Sequence, residues 1–163
     1  MAPFFAFSAA LRQTDFSTQR RKGRKVWQIW EFKHKLVITM IHSEEFLAIA
    51  NDAKGRVREV SVADAQERMK DGATLIDVRE DNEFEAGHAA GARHMGRGII
   101  ERDIVATVPE KDTELILYCG GGYRSALSAD MLQKMGYTNV WSMAGGWHAW
   151  EESGAPTDVP IPY

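Results

Sequence analysis

Cys119 is the only cysteine in the chain, and it stands in the stretch "LYCGGGYRSA" at 117–126. An apolar run ends on it, three glycines follow, and Arg124 comes five positions later. A thiol is nucleophilic as its thiolate. Free cysteine titrates near ~8.5, and a helix N-terminus or nearby cations can bring it into roughly the 3.5–7.5 range. Glycine adopts backbone angles that other residues avoid and lets the main chain approach a ligand closely. A tight loop of this kind can turn successive N–H groups inward as an anion-binding nest. Gly120, Gly121, Gly122, Tyr123, Arg124 and Ser125 therefore read as a cradle around one reactive sulfur. The competing reading is a buried structural thiol, because free cysteine is among the most buried residue types. The Gly-Gly-Gly-Tyr-Arg-Ser run after it favours the cradle.

Such a loop needs a strand to deliver the cysteine and a helix to receive the chain. "TELILYC" is a continuous apolar run of strand length, as is "ATLIDVR", which carries Asp77 and Arg79 at its end. Runs of this type suit parallel strands covered on both faces. "RSALSADMLQKMG" has Leu127, Met131, Leu132 and Met135 at helical spacing and Gly136 as its stop. The expected helix starts near Arg124 or Ser125, so the positive end of its dipole faces the loop. In open parallel sheets, ligands bind at the carboxyl ends of strands, which is where Cys119 falls.

The remaining chain alternates in the same way. "SEEFLAIANDA" is a helix capped by Ser43, with Phe46, Leu47 and Ile49 as its apolar side, and "VREVSV" is a short strand. "SVADAQERMKDG" opens on the capping pattern Ser61-x-x-Asp64. "EDNEFEAGH" is a short acidic turn or helix, and "AAGARHM" has room for a further strand. "GIIERDIVATV" places Ile99, Ile100, Ile104 and Val105 at helical spacing, and "NVWSM" is a last short strand. "GGWHAWEESG" is a terminal helix carrying Trp147 and Trp150, and "APTDVPIPY" is an extended tail. The expected architecture is α/β, a small open parallel sheet flanked by helices on both faces.

Composition bounds the function. The chain has 163 residues, 44% hydrophobic and 26% charged, which suits one globular domain with an appendage. The net charge of −3 does not suggest nucleic acid, and no stretch reaches the ~18 apolar residues of a transmembrane segment. One cysteine cannot form an internal disulfide or supply a cysteine-based zinc site, and the five histidines lack tight ligand spacing, so no metal is expected. The reducing cytoplasm is the expected compartment. Residues 1–40 carry eight Lys/Arg against two acids, a net of +6, while 41–163 carry a net of −9. Residues 1–42 are expected to be a basic N-terminal extension, poorly ordered or outside the fold, and 43–163 to be the domain. Within the extension, the arginines follow the apolar stretch instead of preceding it, which argues against a secretory signal. A basic surface arm and a targeting segment remain alternative readings, and Met40 could serve as a start.

With these motifs in order, the chain resembles a single-domain rhodanese, a sulfurtransferase domain, over roughly 57–155. The resemblance rests on "LIDVREDNEFEAGHAAGARHM", "ELILYCGGGYRSALSADMLQKMGYTNV" and "MAGGWHAWEESGAP" taken together. It implies that Cys119 takes the outer sulfur of a donor such as thiosulfate, becomes a persulfide, and passes that sulfur to a thiol or cyanide acceptor, or to a sulfur-relay protein. It implies no cofactor. The loop 120–125 would hold the sulfur, and Arg124 would either bind the anionic donor or lock the loop against acidic neighbours. Tyr123 would line the mouth. Asp77 would tie loops near the site, and Arg79 would reach the donor anion or form a surface ion pair. His88 would pack rather than act as a base, His148 would be exposed, and the acid run "EDNEFEAG" would be a solvated face. Related phosphatases resemble Cys-x5-Arg, one residue longer than the Cys-x4-Arg here, so sulfur is favoured over phosphoryl transfer. The alternative class is a non-catalytic binding module, or a persulfide carrier for a partner protein.

Overall fold

The computed structural model describes residues 42–158. The expectation for residues 1–41, and that for the tail beyond Asp158, lie outside the described residues. Ser43 accepts from the Phe46 N–H and starts helix α1 (Glu44–Lys54), with Glu44 and Glu45 in the first turn. Strand β1 (Arg58–Val60) leads to α2 (Val62–Lys70), where Ser61 accepts from the Asp64 N–H. Strand β2 (Thr74–Asp77) is followed by the short helix α3 (Asp81–Ala86) and the two-residue strands β3 (His88–Ala89) and β4 (Arg93–His94). Helix α4 (Ile100–Thr107), strand β5 (Leu115–Tyr118) and helix α5 (Tyr123–Lys134) come next. Strand β6 (Val140–Met143), helix α6 (Gly146–Glu152) and strand β7 (Thr157–Asp158) complete the described chain.

The main sheet is parallel, with strand order β1-β6-β5-β2-β4, so β5 lies at its centre and delivers Cys119 at its carboxyl edge. The expected tail supplies β7, which pairs antiparallel with β3 and closes a separate two-stranded ribbon. The pleat splits the apolar runs between two cores, because alternate residues of a strand face opposite sides. Ile76, Leu115, Leu117, Cys119 and Val140 face Ile100, Ile104, Ala129 and Leu132. Leu75, Ile116, Tyr118 and Met143 face Val62, Ala65 and Trp150. Both faces are thus covered by helices, which accounts for unbroken hydrophobic runs in β2 and β5.

The helices correct some expected core positions. On α5 the buried face is Ser125, Ala126, Ser128, Ala129, Asp130 and Leu132, while Met131 is 43% exposed. On α1 it is Ala50 and Ala53, and Ile49 is exposed. These two helices pack on each other, and small side chains let their backbones come close. Large residues at neighbouring positions are turned outward for the same reason. On α4 only the i, i+4 pair Ile100 and Ile104 is buried, and Ile99 and Val105 point to solvent.

Candidate active site

The sulfur of Cys119 sits at the start of α5 and is almost wholly buried. The Gly122 N–H donates to Sγ at 3.2 Å and the Ser125 hydroxyl donates at 3.7 Å. Gly122 is the N-cap of α5, with φ +94° in the left-handed region, so the helix begins one residue earlier than expected, at Tyr123. That glycine has no side chain to cap the helix, and the sulfur takes one of the free N–H groups instead. Ser125 Oγ also lies 2.9 Å from Ser142 Oγ on β6, and both hydroxyls are fully buried. Ser142 was not legible as a site residue, because its contact depends on β6 lying beside β5.

The far wall of the loop is the start of α6. The Trp147 N–H donates to the Cys119 carbonyl at 2.6 Å, and the His148 N–H donates to the Gly120 carbonyl at 3.1 Å. Gly146 makes this approach possible. A Cβ built on it would stand 2.2 Å from the Cys119 carbonyl oxygen, and its φ is +55°. The turn at Gly145-Gly146 is thus a backbone-to-backbone seat for the loop. His148 is exposed, and its Nε2 is 3.9 Å from the place a Cβ on Gly120 would occupy.

Arg124 does not reach into the loop as a free cation. Its Nη1 and Nη2 donate to the two carboxylate oxygens of Glu83 at 2.6 and 2.9 Å. Those hydrogen bonds hold Glu83 below the usual carboxylate range against its partial burial, and hold Arg124 above the usual guanidinium value. Glu83 is positioned by α3, where its carboxylate also accepts from the Glu80 N–H in a capping box. The acid run is therefore not simply a solvated face: one of its members locks the loop arginine.

Asp77 and Arg79 form a buried pair beneath the site. Arg79 Nε and Nη2 donate to Asp77, and Nη2 also donates to the Gly87 carbonyl at 2.7 Å. Burial pulls Arg79 down, yet the bonds to Asp77 and its charge leave the guanidinium above its ordinary value. Arg79 lies over the Trp147 ring at 4.7 Å. It is buried, so the expected surface ion pair is instead an internal one, with the desolvated guanidinium held by the carboxylate at 2.7 Å. Burial, then the nearby Asp77 charge, push the Tyr118 phenol up, and its oxygen accepts from the Ala89 N–H at 3.1 Å. His88 is stacked on Phe84 at 3.7 Å with Nδ1 3.1 Å from the Phe84 carbonyl. Tyr123 is half-buried, edge-on to Phe46 and beneath Lys54 Nζ at 5.2 Å. Among the described residues, no group of three His, Cys, Asp or Glu side chains is placed to hold a metal, and no helix is long and apolar enough to cross a membrane.

The fold and site define a parallel α/β domain that presents one thiol at the central strand edge, at a helix N-terminus, in a short glycine loop. Residues 61–153 match the rhodanese-like domain model, and the chain belongs to that family. The thiosulfate sulfurtransferase GlpE of Haemophilus influenzae is 32% identical over 103 residues, covering 63% of this chain and 95% of that protein. The polysulfide-sulfur transferase homodimer of Wolinella succinogenes superposes with a TM-score of 0.63 at 27% identity, over 73% of this chain and 90% of that one. A Rhodopseudomonas palustris protein of unknown function, described as a possible tyrosine phosphatase, gives 0.62 at 29% identity, over 74% of this chain and 97% of that one.

Proposed function

We propose that this protein is a rhodanese-type sulfurtransferase that moves sulfane sulfur from thiosulfate or a related donor to a thiophilic acceptor through a persulfide on Cys119. In the first half-reaction the Cys119 thiolate attacks the outer sulfur of thiosulfate. A new S–S bond forms, the bond to the sulfonate breaks, and sulfite leaves with the electron pair. In the second, cyanide or a thiolate attacks the outer persulfide sulfur, and Cys119 departs as thiolate. This is covalent catalysis in two half-reactions, with ping-pong kinetics. The Gly122 N–H and the Ser125 hydroxyl stabilise the negative sulfur, and Ser142 orients Ser125. Arg124, tied to Glu83, keeps the loop closed, and Asp77 with Arg79 braces the sheet edge beneath it. The reaction belongs in the reducing cytoplasm.

The observation that carries this reading is the N–H to sulfur contact of 3.2 Å at the start of α5, inside a loop with four residues between Cys119 and Arg124. The four-residue spacing supports sulfur rather than phosphoryl transfer. Gly121 is exposed and nothing lies within 4 Å of where its Cβ would stand, which supports access by a partner-protein thiol as well as by small acceptors. The test is intact mass after incubation with thiosulfate. The wild type should gain one sulfur, lose it to cyanide, and fail to gain it as Cys119→Ser. No adduct with thiosulfate, polysulfide or glutathione persulfide would overturn the enzyme reading in favour of a binding module.

A further inference from the structure

The two arginines that a sequence reading offers to an anionic donor are each paired with a carboxylate, although Arg124 Nη2 stands 3.4 Å from the place a Cβ on Gly120 would occupy. Arg79 is buried on Asp77, and Arg124 is bidentate to Glu83. Lys54, the last residue of α1, is held differently. Its Nζ lies 3.8 Å from the place a Cβ on Gly122 would occupy, and Gly122 is the residue whose amide holds the sulfur. The ammonium also lies over the Tyr123 ring, at the first residue of α5. Its only carboxylate partner among the described ion pairs is Glu59 at 2.9 Å, a single contact between partly solvated side chains, 26% and 38% exposed. A partly solvated pair with one carboxylate contact is weaker than a bidentate one and exchanges more readily for another anion.

The backbone beneath Lys54 is nevertheless fixed. Two residues later, Arg56 donates from Nε and Nη2 to both oxygens of Asp130 on α5, each at 2.9 Å. The end of α1 is therefore tied to the helix that caps the sulfur, while the ammonium at its tip can move on its stem. A positioned base with a mobile, hydrated charge suits a small anion that must arrive and leave.

We propose that Lys54 receives the charged end of the anionic sulfur donor at the mouth of the Cys119 loop. This deepens the sulfurtransferase reading and rests on it for its physiological meaning. The test pairs two readouts on Lys54→Gln and Lys54→Arg. In steady-state sulfur transfer from thiosulfate, Lys54→Gln should raise KM about tenfold with kcat within about twofold, and Lys54→Arg should restore KM. The second readout needs no sulfur transfer: the ratio of Cys119 alkylation rates by iodoacetate and by neutral iodoacetamide. In each, the thiolate sulfur forms a bond to carbon and iodide leaves, so any change in thiolate population cancels in the ratio. That ratio should fall about tenfold in Lys54→Gln and recover in Lys54→Arg. A purely structural lysine would change both alkylation rates together and leave the ratio alone. An unchanged ratio with an unchanged KM overturns the proposal, as does finding both effects in His148→Gln and not in Lys54→Gln. If thiosulfate never loads Cys119, the functional reading fails on its own, and the alkylation ratio still decides whether Lys54 serves the site.

Discussion

Replacing Gly146 by alanine tests whether the start of α6 sets the geometry of the cysteine loop. The added Cβ would stand 2.2 Å from the Cys119 carbonyl oxygen and 2.9 Å from that of Gly120. This is roughly 1 Å inside ordinary contact, and the obstacle is backbone, which cannot swing aside as a flexible side chain would. Two costs add. A left-handed residue with a Cβ costs about 1–2 kcal/mol, and forcing apart a packed contact costs about 1–3 kcal/mol more. Gly154→Ala isolates the first cost, since Gly154 has φ +68° and nothing within 4 Å of its Cβ position. Both variants share the entropic effect of alanine on the unfolded chain, so it cancels between them. In thermal unfolding, Gly154→Ala should lower Tm by roughly 3–6 °C and Gly146→Ala by roughly 6–15 °C. The rate of sulfur loading on Cys119, followed by mass well below Tm, should fall about a hundredfold in Gly146→Ala, the scale expected for a 1 Å misplacement. Gly154→Ala should load at the wild-type rate. Equal Tm losses and an unchanged loading rate in Gly146→Ala would refute the claim that α6 seats the loop.

Three other outcomes follow from the charged groups. Asp77→Asn leaves Arg79 buried without a counter-charge, so stability should fall by about 3–5 kcal/mol in denaturant unfolding; a raised KM with unchanged stability would instead make the pair a donor site. Glu83→Gln should cost only about 1 kcal/mol, since the pair is partly solvated, but should slow sulfur loading severalfold by untying Arg124; wild-type loading would show that the lock is dispensable. Arg56 holds the Asp130 carboxyl down to about 2, against its burial and with help from Lys134. A carboxylate with a lowered folded-state value stabilises the fold above its unfolded value near ~3.9 and loses that contribution as pH falls toward its folded value. The Tm gap between wild type and Asp130→Asn should accordingly be constant above about pH 5 and close between about pH 4 and pH 2; a gap that widens on acidification would contradict this.

Local sequence was enough wherever the physics is local. Ser43 and Ser61 cap helices within one turn of themselves, and the apolar runs ending at Asp77 and Cys119 have the length of strands covered on both faces. The glycines after Cys119 lie in the same loop as the sulfur, so the Gly122 and Ser125 contacts to it fall within ten consecutive residues. Helix burial was less legible, because α1 and α5 press together on small residues and turn Ile49 and Met131 outward, a choice made by the neighbouring helix and not by hydrophobic spacing.

The rest of the site is long-range. Glu83 reaches Arg124 from 41 residues away, and Ser142 reaches Ser125 from 17. Gly146 meets the Cys119 carbonyl because β6 lies beside β5, and Lys54 meets Gly122 because α1 packs on α5. By itself the sequence determined the alternation of strands and helices, the glycine loop and the single thiol within it. Only the tertiary structure decided which charges are spent on each other. An arginine reads the same in sequence whether it is free or paired, and its partner is chosen by the sheet order that brings distant loops to one edge.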